Sequence, residues 1–292
     1  GEAGRGFHQI MENFQNERIV LGAMAVGESA FWSLRENIDD AIASEEKHPG
    51  SHRVATLAQS IELREVAFSY GDFNVLDRLS ITIPAGAMTA LIGQSGSGKT
   101  TLLSMVTGEN IKGYGQELYI FGRKKGSGES VWDLKKKIGY FTPSMTDKFS
   151  GHHTAINMLI SGLKDSIGLY QTPTEPQVKL AEEWLELIHM EELKQVYFHD
   201  LSMGQQRLLM IARAMIKHPL LLILDEPTAG LDDESAALFV ALTNKMAQES
   251  RTAIIFVSHR KEPGLRPHYI YNLERTTQGS IGRIIDPGHF YS

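Results

Sequence analysis

The chain has 292 residues, of which 42% are hydrophobic and 22% charged, the proportions of a soluble globular protein. Its net charge of −6 gives no reason to expect nucleic-acid binding, and no nucleic-acid partner is predicted. The absence of cysteine excludes disulfides and zinc–thiolate sites. The longest uncharged apolar run, residues 19–27, is shorter than the roughly 20 residues of a membrane-spanning helix, and no signal peptide is recognised, so the chain is expected not to cross a membrane.

The N-terminal segment has a different pattern from the rest of the chain. Residues 7–27 repeat apolar side chains at helical spacing, which predicts a helix. Residues 44–53 are polar and contain a Pro-Gly pair, which predicts a linker. We therefore expect a helical extension with its linker over residues 1–53 and a separate domain over residues 54–292.

The remaining pattern predicts an α/β fold. Residues 61–70 and 78–86 alternate in polarity and end in turn residues, as strands do. Residues 220–227 and 252–259 are continuous apolar runs, typical of parallel strands covered on both faces. Residues 145–217 are mostly helical in pattern. This order predicts a parallel sheet with helices and an inserted helical region.

A glycine-rich stretch offers a phosphate site. Residues 93–100 read GQSGSGKT, which fits G-x-x-x-x-G-K-[ST] between a predicted strand and a predicted helix. In such a loop the backbone N–H groups surround phosphate oxygens, Lys99 reaches the β- and γ-phosphates, and Thr100 offers a hydroxyl to magnesium. The alternative is a glycine-rich turn with a surface lysine.

Two acidic residues follow the apolar run of residues 220–227. Asp225 would lie at the carboxyl edge of the sheet and hold magnesium, directly or through water. Glu226 is the candidate general base, or the residue that orients the attacking water. The alternative is a solvent-exposed acidic turn before Pro227.

Other candidates end strands or begin a helix. His259 would lie at the same edge as Asp225, where a γ-phosphate needs a donor, although a lone histidine is more often structural. Tyr70 could stack on a base, or could be a half-buried strand aromatic. Residues 201–205, LSMGQ, precede a helical run, so Ser202 either caps this helix or takes part in anion binding at its N-terminus.

Together these residues resemble the ATP-binding-cassette (ABC) ATPases over about residues 54–275. The matched features are the adenine-stacking aromatic (Tyr70), the Walker A loop (Gly93–Thr100), the signature motif (LSMGQ, usually LSGGQ), the end of Walker B (Ile223–Glu226), the D-loop (Ala229–Asp232) and the switch histidine (His259).

The resemblance implies a P-loop fold of ABC type, with a mostly parallel sheet core, an antiparallel β subdomain and a helical insert at about residues 145–217. It implies ATP and Mg2+ at a site shared between two cassettes, in which the signature of one caps the ATP held by the Walker A loop of the other. The implied partners are a second copy or another ABC cassette, and a membrane permease.

The resemblance also assigns roles. The catalytic residues are Lys99, Glu226 and His259, and Thr100 and Asp225 hold the metal. The nucleotide-binding residues are Tyr70, Gly93, Gln94, Ser95, Gly96, Ser97, Gly98, Lys99, Thr100, Thr101, Ser202, Gly204 and Gln205.

The sequence departs from the ABC pattern in two places. Met203 replaces a glycine of the signature motif, and its side chain demands ordinary φ values. The magnesium-binding glutamine that normally follows the strand ending at Tyr140 is absent, and Thr142 or Ser144 could offer a hydroxyl instead.

Narrower resemblances make the chain look like a mosaic. Residues of about 105–275 resemble the second cassette of the ModF-type ATPases, associated with molybdate uptake or photorepair, which also lack that glutamine. Residues 61–103 look more like an exporter-type cassette. Residues 4–29 resemble one helix of the acyl-CoA dehydrogenases, but the rest of that fold is missing, so no dehydrogenase activity is predicted.

Three functions share this site. The first is a nucleotide-binding subunit that powers a separate membrane transporter, with molybdate or a related substrate suggested by the resemblance, and the helical insert favours it. The second is a soluble ATPase whose ATP-driven dimer acts as a switch, which the missing glutamine favours. The third, a binder with little turnover, is disfavoured by the intact Glu226 and His259. The expected location is the cytoplasm, or the inner face of the cell membrane as a peripheral protein.

Overall fold

The computed structural model describes residues 59–149 and 153–288. The helix predicted over residues 7–27, the linker at 44–53 and the dehydrogenase-like segment 4–29 lie outside the described residues. Within the described ranges, no helix combines the length and the apolar character needed to span a bilayer.

The described residues fall into two compact units. The sheet unit comprises residues 59–143 and 218–288, and the helical unit comprises 144–149 and 153–217. Six α-helices are described in the two units. They are α1 (Lys99–Thr107), α2 (Val131–Lys137) and α6 (Asp233–Glu249) in the sheet unit, and α3 (Ala155–Gly162), α4 (Glu175–Leu187) and α5 (Met203–Met215) in the helical unit.

The sheet unit contains one sheet of ten strands among the described residues. The strands are β1 (Gln59–Tyr70), β2 (Phe73–Pro84), β3 (Met88–Gly93), β4 (Leu118–Ile120), β5 (Arg123–Lys124), β6 (Ile138–Phe141), β7 (Leu221–Asp225), β8 (Ala253–Ser258), β9 (Tyr269–Thr276) and β10 (Gly279–Ile285). Their order across the sheet is β5-β4-β1-β2-β10-β9-β3-β8-β7-β6. The pairs from β9 to β6 are parallel, whereas β1, β2, β4 and β5 pair antiparallel with one another. The predicted α/β fold with a parallel core and an antiparallel part is confirmed.

The parallel strands carry the apolar core. Every residue of β3, β7 and β8 is buried, as expected for strands covered on both faces. In contrast, β2 alternates between buried and more exposed positions along part of its length, as a strand with one covered face does.

Strand register brings the carboxyl ends of β3, β8 and β7 to one edge of the sheet. Ile92 of β3 pairs with Ser258 of β8, and Val257 of β8 pairs with Asp225 of β7. The segments that follow these three strands therefore start next to one another. In open parallel sheets, this edge is where ligands bind.

A buried lysine ties the antiparallel part of the sheet unit to α1. The ammonium of Lys125, which follows β5, donates to the carbonyl of Met105 in the last turn of α1 and lies 5.3 Å from the Tyr114 ring centroid. Burial lowers the pKa of Lys125 to about 8. A cation near the C-terminus of a helix is stabilised by the carbonyl groups there, so this contact helps to fix the helix behind the glycine-rich loop.

In the helical unit, α3 and α5 are in close contact at Gly162. A Cβ there would lie 2.3 Å from the carbonyl oxygen of Arg213, so only glycine fits. The buried Arg213 side chain donates to the Ser161 hydroxyl at 3.0 Å and to the Ser166 carbonyl at 2.8 Å. Its guanidinium also lies over the Phe149 ring, which anchors the start of this unit to α5.

Candidate active site

The glycine-rich loop joins β3 to α1 through a backbone that glycine permits. Gly93, Gly96 and Gly98 have φ values of 156°, 77° and 90°. A Cβ at Gly93 would lie 2.6 Å from the Ser97 hydroxyl and 2.7 Å from the Leu273 carbonyl oxygen. The loop ends at the N-terminus of α1, where backbone N–H groups have no partner within the helix and favour an anion.

Lys99 lies across this loop. Its buried ammonium donates to the carbonyls of Gly93 at 2.6 Å and Gln94 at 3.0 Å. Burial lowers the pKa of Lys99, and the charges of Glu226 and Asp225 oppose that shift. The Lys99 ammonium therefore interacts electrostatically with both predicted acidic residues.

The other loop residues differ in exposure. Gln94, Ser95, Gly96 and Thr100 are exposed, and Thr101 is half-buried. Ser97 is buried, and its hydroxyl has no hydrogen-bond partner among the described residues. The exposed residues leave the outer surface of the loop open to a ligand.

Asp225 ends β7 and is buried. Burial, and then the charge of Glu226, raise the pKa of Asp225, while Tyr140 and Lys99 act in the opposite direction. The Tyr140 hydroxyl donates to Asp225 Oδ2 at 3.4 Å. Burial and the Asp225 charge raise the pKa of Tyr140, so this hydroxyl stays a donor at neutral pH. Tyr140 was not among the predicted site residues, because nothing in its local pattern links β6 to β7.

Glu226 adopts a strained backbone. Its φ is 50°, in the left-handed region, which costs a residue other than glycine about 1–2 kcal/mol. Two hydrogen bonds hold the turn, from Glu226 N–H to the Val257 carbonyl at 3.0 Å and from Ala229 N–H to the Glu226 carbonyl at 3.1 Å. Strain of this kind persists only where the surrounding structure imposes it, and it is frequent at active sites.

The carboxylate of Glu226 contacts His259. Glu226 Oε2 lies 2.7 Å from His259 Nδ1, and the two side chains are 29% and 55% exposed. Because Nδ1 faces a carboxylate, it carries the proton. Nε2 then accepts a hydrogen bond when the ring is neutral and donates one when the ring is an imidazolium. The structure thus brings together two residues that lie 33 positions apart in sequence.

Aromatic side chains surround the end of β1. Tyr70 is its last residue, is 59% exposed and packs edge-on against Phe68 with ring centroids 4.8 Å apart. The Lys112 ammonium lies 5.5 Å from the Tyr70 ring centroid. An exposed aromatic face of this kind can receive a planar ligand.

A second aromatic residue, which was not predicted as a site residue, is linked to the glycine-rich loop. Phe73 is exposed, and the guanidinium of Arg275 lies 4.8 Å from its ring centroid. Arg275 also donates to the Gly96 carbonyl at 3.4 Å. The Arg275 guanidinium of β9 therefore lies at the glycine-rich loop, although Arg275 belongs to none of the sequence motifs.

Ser202, Gly204 and Gln205 lie in the helical unit, whereas the other predicted site residues lie in the sheet unit. Ser202 is the N-cap of α5, and its hydroxyl accepts from the Gln205 N–H at 3.2 Å. The Gln205 side chain in turn accepts from the Ser202 N–H at 2.9 Å, which completes a capping box. Met203 begins the helix with an exposed side chain and without a positive φ.

Comparison with known proteins decides the family. Residues 76–229 match the sequence profile of a family described as ABC transporter, which is more than half of the chain. The chain belongs to the ABC transporter family. The predicted ABC ATPase resemblance is confirmed at this level.

Individual relatives agree with this assignment. The chain is 39% identical over 237 residues to the ABC transporter ATP-binding protein ModF of Escherichia coli, a match that covers 80% of this chain and 48% of ModF. The chain thus spans about half the length of that relative. It is 30% identical over 202 residues to the zinc uptake system ATP-binding protein ZurA of Listeria innocua, covering 68% of this chain and 76% of ZurA.

Solved structures agree on the fold. The cbiO1 protein of Clostridium perfringens, part of the ABC transporter complex cbiONQ, aligns with a TM-score of 0.66 at 23% identity, covering 80% of this chain and 90% of that one. A nucleotide-free ATP-binding cassette from an ABC transporter aligns with a TM-score of 0.62 at 22% identity, covering 73% and 87%. At these identities the likeness supports the ABC ATPase fold and nothing finer.

Proposed function

We propose that this ABC chain binds ATP with Mg2+, hydrolyses it to ADP and phosphate, and powers a membrane transporter as its nucleotide-binding subunit. The observation that carries the proposal is the 2.7 Å contact between Glu226 and His259 at the sheet edge where Asp225 ends β7. Residues 54–292 would form the cassette, with a helical insert at about 145–217 and residues 1–53 as an appendage.

The glycine-rich loop supports the binding step. Lys99 would exchange its two loop carbonyls for β- and γ-phosphate oxygens, while the N–H groups at the start of α1 face the same anion. The exposed ring of Tyr70 would stack on the adenine. Thr100 and Asp225 supply a hydroxyl and a carboxylate oxygen, donors that fit Mg2+. When bound, Mg2+ neutralises charge on the β- and γ-phosphate oxygens.

The Glu226 carboxylate supports the hydrolytic step. It would orient a water molecule and accept its proton as the water oxygen bonds to the γ-phosphorus. The bond from that phosphorus to the bridging oxygen breaks, and ADP leaves with the electron pair. His259 is held by Glu226 through Nδ1, which leaves Nε2 for a γ-phosphate oxygen when the ring is doubly protonated.

The helix N-terminus at Ser202 supports a site shared by two cassettes. Ser202 caps α5, and Gly204 and Gln205 lie in its first turn, where the partial positive charge of the helix favours an anion. Because the capping box already binds the N–H groups of Ser202 and Gln205, the N–H groups of Met203 and Gly204 would be the backbone donors. In the proposed dimer this end of α5 caps the ATP held by the partner cassette. The partner is a second copy of the chain or another ABC cassette.

Ser202→Arg tests the shared site. The larger cation would block closure of the two cassettes without touching the residues that hold ATP within one cassette. We expect ATP affinity unchanged within about twofold and hydrolysis reduced at least about 100-fold, since an interaction made only in the closed state is lost. Ser202→Ala, which removes the hydroxyl cap and adds no bulk, should retain far more activity. Full hydrolysis by Ser202→Arg would show that Ser202 is only a helix cap.

ATP hydrolysis by this chain would power a membrane transporter. The names of ModF and ZurA support this role, and the ModF likeness suggests molybdate or a related importer. The chain would then act in the cytoplasm, at the inner face of the membrane. The alternative, a soluble ATPase whose dimer acts as a switch, is favoured by Thr142 and Pro143 after β6, where a glutamine is expected.

Purification of the tagged chain from detergent-solubilised membranes distinguishes these two roles. We expect a membrane-spanning protein to co-purify in a constant ratio and to raise the rate of ATP hydrolysis. Recovery of the chain without such a protein, with hydrolysis at full rate, would favour the switch.

A further inference from the structure

A buried carboxylate lies behind the Glu226–His259 pair. Glu262 is only 3% exposed and follows His259 by three residues, in the loop after β8. One of its oxygens, Oε1, accepts from three side chains: Thr228 Oγ1 at 2.9 Å, Ser258 Oγ at 2.9 Å and Arg260 Nε at 3.2 Å. A buried charge is retained only where such bonds compensate for lost hydration, so these contacts are tightly constrained.

Two of the three donors flank His259. Ser258 precedes it and Arg260 follows it, and both side chains are bound to Glu262 Oε1. The Arg260 N–H also donates to the Ser258 hydroxyl at 3.2 Å. The side chains on both sides of the histidine are therefore bound to a single oxygen, while the histidine ring itself stays more than half exposed.

The third donor belongs to the turn after Glu226. Thr228 is 2% exposed and lies two residues beyond Glu226, whose left-handed backbone opens that turn. The Leu231 N–H donates to the Thr228 carbonyl at 3.1 Å. Thr228 is therefore held by its backbone within the turn and by its side chain at Glu262. Glu262 thus links the segment that carries Glu226 to the segment that carries His259.

We propose that Glu262 is a positioning residue for ATP hydrolysis, which sets the separation of Glu226 and His259 by binding Thr228 and Ser258 through one oxygen. This inference rests on the proposed function. Glu262 touches neither Glu226 nor His259 among the contacts described, and it acts through their chain neighbours. Its loss affects the turnover step rather than ATP binding, because Lys99 and the glycine-rich loop share none of its hydrogen bonds.

Replacement of Glu262 by alanine tests the positioning role. We expect kcat for ATP hydrolysis to fall by about 10- to 100-fold with the ATP dissociation constant unchanged within about twofold, since displacement of a catalytic group by about 1 Å has effects of that size. Glu262→Gln keeps an acceptor oxygen with the same reach, so kcat should recover to within about threefold of the unmodified chain. Glu117→Ala is the matched control, because Glu117 also accepts from two side chains, Tyr119 and Lys124, but lies outside the site.

Several results would overturn the inference. Glu262→Ala with unchanged kcat, or with kcat and affinity reduced by the same factor, would show that no positioning role exists. Equal losses in the alanine and glutamine variants would contradict a role through hydrogen bonds. If Glu262→Ala does not fold, Thr228→Val and Ser258→Ala each remove one donor to Glu262 and should lower kcat several-fold. Full turnover in both of these variants would contradict the positioning role of Glu262. The unmodified chain is measured first, because lack of turnover there contradicts the proposed function instead.

Discussion

Glu226→Gln is expected to lower ATP hydrolysis by about 10²- to 10⁴-fold, the usual loss on removal of a general base. The amide has the same shape as the carboxylate but cannot accept the proton of the attacking water. ATP binding should survive, because Lys99, Thr100 and the loop amides are unchanged. One negative charge fewer beside the triphosphate should even favour the ATP-bound state. Phosphate release under saturating ATP and Mg2+ measures the rate, and equilibrium binding measures the affinity.

A matched control separates the carboxylate at Glu226 from a general effect of charge. Glu182 on α4 pairs with Lys194 at 3.1 Å in the helical unit, and both side chains are nearly half exposed. Glu182→Gln should hydrolyse ATP at the unmodified rate. If Glu226→Gln hydrolyses ATP as fast as that control, Glu226 is not the catalytic carboxylate.

Lys99→Ala should abolish detectable ATP binding at concentrations that just saturate the unmodified chain. Removal of a charged hydrogen-bond donor that contributes ~3 kcal/mol weakens the affinity by about 100-fold. The Lys99 ammonium donates to two carbonyls of the glycine-rich loop, so it lies close enough to contact phosphate oxygens bound by that loop. Titration of a fluorescent ATP analogue reports the affinity, with circular dichroism to show that the variant is folded.

The control for this variant is Lys179→Ala. Lys179 is an exposed lysine on α4, and its replacement by alanine should leave the affinity for ATP unchanged. Nucleotide binding by Lys99→Ala at the affinity of this control would refute the assignment of the glycine-rich loop.

The parallel core was predictable because its strands carry their own signal. Each of the stretches 220–227 and 252–259 contains five consecutive apolar residues, and the structure places β7 and β8 inside them. Their carboxyl ends bring Asp225 and His259 to one edge, as the order of elements implied. The hairpin of β9 and β10 was not predicted, since β10 contains Gly279 and Gly282 and its apolar residues do not alternate with polar ones.

The parts of the site that the sequence did not predict depend on contacts between distant residues. Tyr140 and Asp225 are 85 positions apart, and Arg275 and Gly96 are 179 apart, so no local pattern links them. Glu262 is near His259 in sequence, but its importance comes from Thr228, 34 positions earlier. In contrast, the loop at 93–100 was predictable because its glycines meet a local requirement of backbone conformation.

The mass of the Glu226→Gln chain in solution with ATP and Mg2+ tests most directly whether two copies share the site. With hydrolysis blocked, ATP should hold two chains together, each through the start of α5 of the other. We expect sedimentation at twice the 32.5 kDa of the single chain, reversal when ATP is omitted, and reversal by Ser202→Arg in the same chain. A mass of 32.5 kDa with ATP bound at saturation would contradict a site shared between two copies.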